Sequence, residues 1–357
     1  MTKRAMTFFA AAAVCATAAF AQLQDNPDLK ERVDGAIGNG LKYLRSQQRP
    51  NGSFPGQYGE SVAIPSLAGM AFLSKGYLPG RAPHGDVIDK CIDFVLARAD
   101  MRDNAPFKGY MGDAGGGRMY AHSIATLFLS EVSGMVDDER QDKIDAILPQ
   151  AVKVIVDAQK QRKGGDHVGG WRYMPNSGDS DLSCSGWALM ALRSARLNGA
   201  QIPPDAIEMA VKYITRTQNG NSGAFSYQGN GGQFGDHLTG AAILCLELCG
   251  KHEAPESMKG AKYLKGVYQS VLARNDGYTA YALYYAAQGL FQIGGDYWME
   301  FAPWMYETWL KRQSPEGAWS CEVSPAYSTA MVVLAFTVPY RQLPIYQRDE
   351  TVNEDED

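Results

Sequence analysis

Residues 304–336 read WMYETWLKRQSPEGAWSCEVSPAYSTAMVVLAF, and this stretch defines the unit from which the chain is built. Residues 304–313 carry a helical pattern. Ser314-Pro315-Glu316-Gly317-Ala318-Trp319 is a turn cluster. Residues 327–336 are a second, more apolar helix. The same plan recurs upstream. Residues 37–48 lead through Arg49-Pro50-Asn51-Gly52-Ser53-Phe54 to 64–74, and residues 206–218 lead through 219–225 to 237–248. Residues 151–159 lead through Gly169-Gly170-Trp171 to 183–194. Two looser copies pair 88–98 with 119–133 and 258–272 with 278–293. Tyr43, Phe94, Val154, Tyr213, Tyr263 and Trp309 hold equivalent places in the first helices, about 50 residues apart.

The two helices of a pair differ. The first is amphipathic, with Ala210, Val211 and Ile214 set against Lys212 and Arg216. The second is apolar nearly all round, as in Ala241-Ala242-Ile243-Leu244-Cys245-Leu246, and must be covered on most faces. Six amphipathic helices around six apolar ones predict a closed double ring: an all-α, single-domain (α/α)6 toroid. The chain's 357 residues would otherwise suit two domains. Of its 38 glycines, many cluster in the loops between first and second helices, at Gly109, Gly112 and 115–117, at Gly164, Gly165, Gly169 and Gly170, and at Gly220, Gly223, Gly229, Gly231 and Gly232. These loops fall at one rim, where glycine permits left-handed backbone.

The ends read differently. Lys3 and Arg4, the apolar run to Phe20 and the Ala19-Phe20-Ala21 site mark residues 1–21 as a signal peptide. The expected protein is therefore exported, periplasmic or secreted, with no membrane span in the mature chain. The toroid is expected over 22–338 and a C-terminal extension over 339–357. The extension ends in an acidic tail: Asp349, Glu350, Glu354, Asp355, Glu356 and Asp357. The net charge is −5, so the body without this tail is nearly neutral. It shows no basic stripe, which argues against nucleic acid as a partner. Five cysteines follow the signal. Cys245 and Cys249 sit in an apolar helical run and read as buried small hydrophobes, not as part of a disulfide framework.

The repeats resemble the prenyltransferase/squalene-cyclase superfamily. Gln313 to Trp319 and Gln47 to Phe54 look like that family's Gln…Gly-x-Trp/Phe turn. Gln159 with Gly169-Gly170-Trp171, and Gln218 with Gly223-Ala224-Phe225, are looser copies. Residues 119–127 and 181–192 look like segments of uncharacterised exported bacterial members. The resemblance spans residues 34–338 and implies a toroid with a central cavity. The departures bear on chemistry. Squalene-type cyclases carry Asp-x-Asp-Asp, whereas here Asp179-Ser180-Asp181 is followed by Leu182. Those cyclases also use two barrels, and this chain has room for one. Protein prenyltransferase β-subunits hold zinc through Asp-x-Cys and His, whereas here Asp181 and Cys184 are spaced Asp-x-x-Cys, with His237 further on.

Four groups carry candidate chemistry. Asp179 and Asp181 could act as a supported general acid, or cap the helix that follows. Asp181, Cys184 and His237 are a weak zinc candidate; otherwise no cofactor is expected. His122 could be a general base on a second helix, or a hydrogen-bonded structural histidine, and Asp236-His237 offers the same choice. Among the aromatics, Phe54, Trp171, Phe225 and Trp319 read as packing between repeats. Tyr120, Tyr173, Tyr278 and Tyr327 read as ligand contacts beside Asp236 and His237. The favoured reading is a toroid that binds a small molecule or protein at its Gly/aromatic mouth without cyclase chemistry. The alternatives are a terpenoid cyclase or transferase with Asp181 as acid, and an α/α-barrel polysaccharide-active enzyme.

Overall fold

The computed structural model describes residues 26–56, 60–112, 117–252, 254–274, 278–320 and 323–346. Among these residues there are twelve α-helices and no strand beyond isolated bridges. The first helices of the pairs are α1 (Pro27–Gln47), α3 (Gly85–Leu96), α5 (Asp138–Gln159), α7 (Pro204–Arg216), α9 (Pro255–Val271) and α11 (Gly295–Leu310). The second helices are α2 (Ala63–Ser74), α4 (Arg118–Val132), α6 (Leu182–Leu197), α8 (Gly235–Leu248), α10 (Thr279–Ile293) and α12 (Pro325–Phe336). The second helices pack side by side in the order α2, α4, α6, α8, α10, α12 and back to α2; α11 meets α1 on the outside. This is a closed double ring. The inner helices are buried along almost their whole length, as their all-round apolar character requires.

Three outer helices start earlier than residues 37, 151 and 304, where the sequence places them. Pro149 and Pro303 both lie inside these continuous helices.

Glycine has a repeated steric job. At Gly169 the backbone is left-handed (φ +93°), and an added Cβ would lie 2.2 Å from the Met209 carbonyl oxygen of the next outer helix. Gly52, Gly109, Gly223 and Gly317 press in the same way on Lys90, Gln150, Lys259 and Asn39. The last of these closes the ring onto α1. Beside the glycine a glutamine staples the same joint. Gln159 Nε2 donates to the carbonyls of Gly169 and Ala206, Gln218 to Gly223 and Glu256, and Gln313 to Gly317 and Ala36.

The second hairpin has no such glutamine, and His122 replaces it. Met111 N–H donates to His122 Nδ1 (3.2 Å), which leaves Nε2–H to donate to the Ala151 carbonyl of α5 (3.0 Å). The histidine is fully buried, and burial lowers its pKa to about 4. Both nitrogens are committed to backbone, so the ring joins repeats and has no nitrogen left for a substrate.

Side chains of α6 and α10, which lie on either side of α8, meet inside the ring. Ser183 Oγ pairs with Tyr281 OH (2.8 Å). Below them Trp187 stacks on Tyr284, with ring centroids 5.8 Å apart, and meets Tyr285 edge-on. Residues 338–346 do not leave the barrel. Leu343, Ile345 and Tyr346 are buried, and Pro344–Tyr346 crosses the lower end to reach α6, the inner helix opposite α12. There Ile345 N–H donates to Glu131 Oε2 (3.3 Å), and the Tyr346 and Tyr284 hydroxyls pair. The C-terminal extension thus begins inside the toroid.

Burial pushes the Glu131 carboxyl up to about 7, against the pull of the Ser194 hydroxyl and the Ile345 N–H. Its folded pKa lies above the ordinary 4.5, so its contribution to stability is complete below pH 4.5 and is lost as pH rises through about 7. His122 runs the other way. Its contribution is complete above pH 6.5 and is lost as pH falls through about 4. The opposing slopes overlap, so single variants separate them. In urea titrations the stability advantage of the parent over Glu131→Gln should shrink from pH 4.5 to 7, by on the order of 3 kcal/mol. Its advantage over His122→Gln should grow from pH 4 to 6.5. Flat differences would contradict both assignments.

Candidate functional site

The third and fourth turns build the mouth. Asp181 is the N-cap of α6; its Oδ1 accepts from Cys184 N–H (2.8 Å). Its Oδ2 accepts from Arg172 Nη1 (2.9 Å). The Asp181 side chain is fully buried. Burial pushes its carboxyl up from the usual range, while the Cys184 N–H and the Arg172 guanidinium pull it back. Asp179 lies at the rim, with Oδ2 3.2 Å from Arg172 Nε and within reach of Gln228 Nε2 (3.3 Å). One guanidinium therefore holds both carboxylates.

Arg172 also stacks. Its Cζ lies 4.1 Å from the Tyr173 ring centre and 5.4 Å from that of Tyr227, and Nη1 donates to Tyr227 OH (2.7 Å). The Tyr173 and Tyr227 hydroxyls are paired, and Tyr120 lies 5.8 Å from Tyr173. Backbone bonds lock these rings to the inner helices: Met119 N–H donates to Tyr173 O and Leu182 N–H to Tyr227 O, each at 2.9 Å. Below them, Ser183 and Tyr281 form the floor. Burial, with Tyr327 and Asp181 nearby, raises the Tyr281 hydroxyl well above its ordinary value, and Ser183 lowers it in part.

Two exposed residues edge the cup: Arg118, whose guanidinium lies 5.6 Å from the Tyr173 ring centre, and Phe234, whose ring meets Tyr227 edge-on at 6.0 Å. Both have φ of +56° immediately at or before an inner-helix start, a strained conformation for a side-chain-bearing residue.

No protein-family profile and no curated protein sequence matches the chain. Solved structures do. The chain is similar to the type II terpene cyclase MstE from Scytonema, with TM-score 0.57 and 14% identity, over 88% of this chain and 99% of that one. It is equally similar to the GH76A α-1,6-mannanase from Salegentibacter sp. HEL1_6, with TM-score 0.57 and 11% identity, over 86% and 98%. A reducing end xylose-releasing exo-oligoxylanase matches with TM-score 0.53 and 12% identity, over 82% and 83%. The chain is an α/α toroid. At these identities the likeness shows the fold alone.

The toroid brings some of the sequence candidates together and separates others. Asp179, Asp181, Tyr120 and Tyr173 meet in the cup, and Tyr327 stands near Tyr281. Asp236, His237 and Tyr278 form a neighbouring group. Tyr263 OH donates to Asp236 Oδ1, Arg274 lies 3.8 Å from its Oδ2, and the His237 ring meets Tyr278 edge-on. His237 does not join Asp181 and Cys184: among the described residues no group of three such side chains is placed to hold a metal ion. Cys184 is a buried thiol whose pKa burial raises well above its ordinary value. His122 lies in the α4–α5 joint, outside the cup.

The sequence reading missed Arg172, on which the whole cluster turns. The available signal was a lone cation between Trp171 and Tyr173 with two aspartates shortly after it. Gly115 and Gly116 lie outside the described residues, as do the signal segment, Cys321 and the acidic tail. Among the described residues no helix is long and apolar enough to cross a membrane.

Proposed function

We propose that the toroid is an exported ligand-binding protein that takes a small, flat-faced ring at its mouth and does no cyclase chemistry. The observation that carries this reading is the layer of packed rings inside the ring of inner helices. From the Ser183–Tyr281 floor through Trp187, Tyr284 and Tyr285, side chains of α6 and α10 meet inside the ring, and Tyr346 joins them from below. A folded polyisoprene chain needs a deep apolar chamber, and these packed rings take up part of that depth. Above them lies a cup of tyrosines edged by Arg118, Asp179 and Gln228. Tyrosine faces stack on sugar or aryl rings, and the polar edge meets ring substituents.

The state of Asp181 supports the same reading. A general acid must carry a proton and reach the substrate. Both Asp181 oxygens are occupied, one by a backbone N–H and one by a guanidinium. A glycosidase needs two carboxyl groups flanking the bond to be cut, one of them protonated. Asp179 and Asp181 instead share one cation on one side of the cup. The reading invokes no metal. Export rests on the leader-like residues 1–21.

Incubation with a geranylgeranyl substrate and with α-1,6-mannotriose should leave both unchanged. Cyclised or hydrolysed product that disappears in Asp181→Asn, while that variant keeps the parent's melting temperature, would establish the enzymatic alternative.

A further inference from the structure

We propose that the lower end of the lumen is a second binding site, for an aryl or phenol group, and that the chain fills it in cis with Tyr346. The site stands apart from the mouth, with the Trp187–Tyr284–Tyr285 layer between them, and does not depend on the reading given to the mouth.

Its elements are a slot and two polar anchors. Tyr346 is buried to 6% exposure at the end of a segment that has left α12 and crossed to the opposite side of the ring. Its hydroxyl pairs with that of Tyr284, and the other side of the Tyr284 ring environment is Trp187 in a stacked arrangement (8° between planes). Glu131 from α4 and Cys245 from α8 are close enough to raise the Tyr346 hydroxyl further, after burial and Tyr284 itself. The ring thus lies between α6, which Pro344–Tyr346 reaches, and α10, which supplies Tyr284, with Glu131 of α4 held by the neighbouring Ile345 N–H. Such a slot is built for one aromatic ring with a hydroxyl at a defined point.

The connection to the rest of the fold is slight for so buried a group. Backbone anchoring of Pro344–Tyr346 comes from the Ile345 N–H to Glu131, from the Tyr346 N–H to the Leu343 carbonyl (3.1 Å) within the segment, and from Arg341 Nη2, 3.4 Å from the Tyr346 carbonyl. The segment contributes one short 3-10 turn and no helix-length ladder. It follows Arg341, a left-handed residue (φ +49°) at which the chain turns into the barrel. The geometry is that of a side chain docked into a receptor, with the receptor formed by the inner helices alone.

The test uses the full-length chain with Tyr346→Ala and p-cresol, the tyrosine side chain as a free molecule. Calorimetry should show p-cresol binding one-to-one to Tyr346→Ala and raising its melting temperature with concentration. The parent at the same concentrations should show neither. Toluene, which lacks the hydroxyl for Tyr284, should bind at least about fivefold more weakly. Adding Tyr284→Phe to Tyr346→Ala should remove that preference. Absence of p-cresol binding to a folded Tyr346→Ala, or equal affinity for toluene, would overturn the proposal. If Tyr346→Ala folds only when p-cresol is present, the proposal stands. If it folds under neither condition, Tyr346→Val takes its place, and failure of that variant to bind p-cresol would overturn it.

Discussion

Gly169→Ala should destabilise the toroid by at least about 3 kcal/mol. Two costs add at this position. The backbone is at φ +93°, where an L side chain is strained, and the new Cβ would sit 2.2 Å from the Met209 carbonyl oxygen and 2.8 Å from its carbon. The obstacle is helix backbone, which cannot swing aside as a side-chain tip can. Relief would require α7 to move away from the third turn, and that would break the Gln159 bonds to Gly169 and Ala206 as well. The matched control is Gly220→Ala, in the next turn, where nothing lies within 4 Å and the backbone is not left-handed. Thermal or urea denaturation should place the control within about 0.5 kcal/mol of the parent. Equal effects at the two positions would show that the close approach between repeats does not hold the ring together.

The second large effect concerns Asp181. In Asp181→Asn the amide oxygen can still accept from Cys184 N–H, but the NH2 group now faces the Arg172 guanidinium. The cap survives and the ion pair does not. A cost of about 2 kcal/mol is expected, because Arg172 keeps Asp179 as a half-exposed partner. Asp181→Ala removes cap and pair together and should cost more, about 3–4 kcal/mol. Asp179→Asn, at the rim, should cost less than about 1 kcal/mol. A melting temperature unchanged in Asp181→Asn would show that the carboxylate is held there at the expense of stability, as catalytic groups are. It would remove the structural role given to it here.

Particular residues show how far the sequence was legible. The inner helices were found almost to the residue, because a segment such as Ala241 to Leu246 is apolar in every direction and has few other places to go. The turns were legible because Gln, Gly and an aromatic recur together; the structure adds that each glycine faces the carbonyl of the next outer helix. The earlier starts of α1, α5 and α11 were not read, although Leu29 and Val33, Ile144 and Ile147, and Trp298 and Phe301 carry a helical apolar spacing there. Asp181 was readable as a cap from its place before an apolar run, and it caps α6. Its partner Arg172 was not readable, since the contact depends on how the third turn folds back. The packing of rings inside the lumen was also hidden. Periodicity says which side chains point inward, but not that Trp187 and Tyr284 are long enough to meet. Residues 339–346 read as the start of a C-terminal extension to the toroid, yet Ile345 and Tyr346 are among the buried residues.

The claim that matters most is that the mouth, and not a deep chamber, holds a ligand. Native mass spectrometry of the protein purified from its own host tests it directly. The account predicts one bound small molecule of ring-bearing, hydroxylated or aryl character, retained by the parent and lost from Tyr173→Ala/Tyr227→Ala when that variant remains folded. A long-chain isoprenoid bound to the parent, and retained when those two tyrosines are removed, would contradict it.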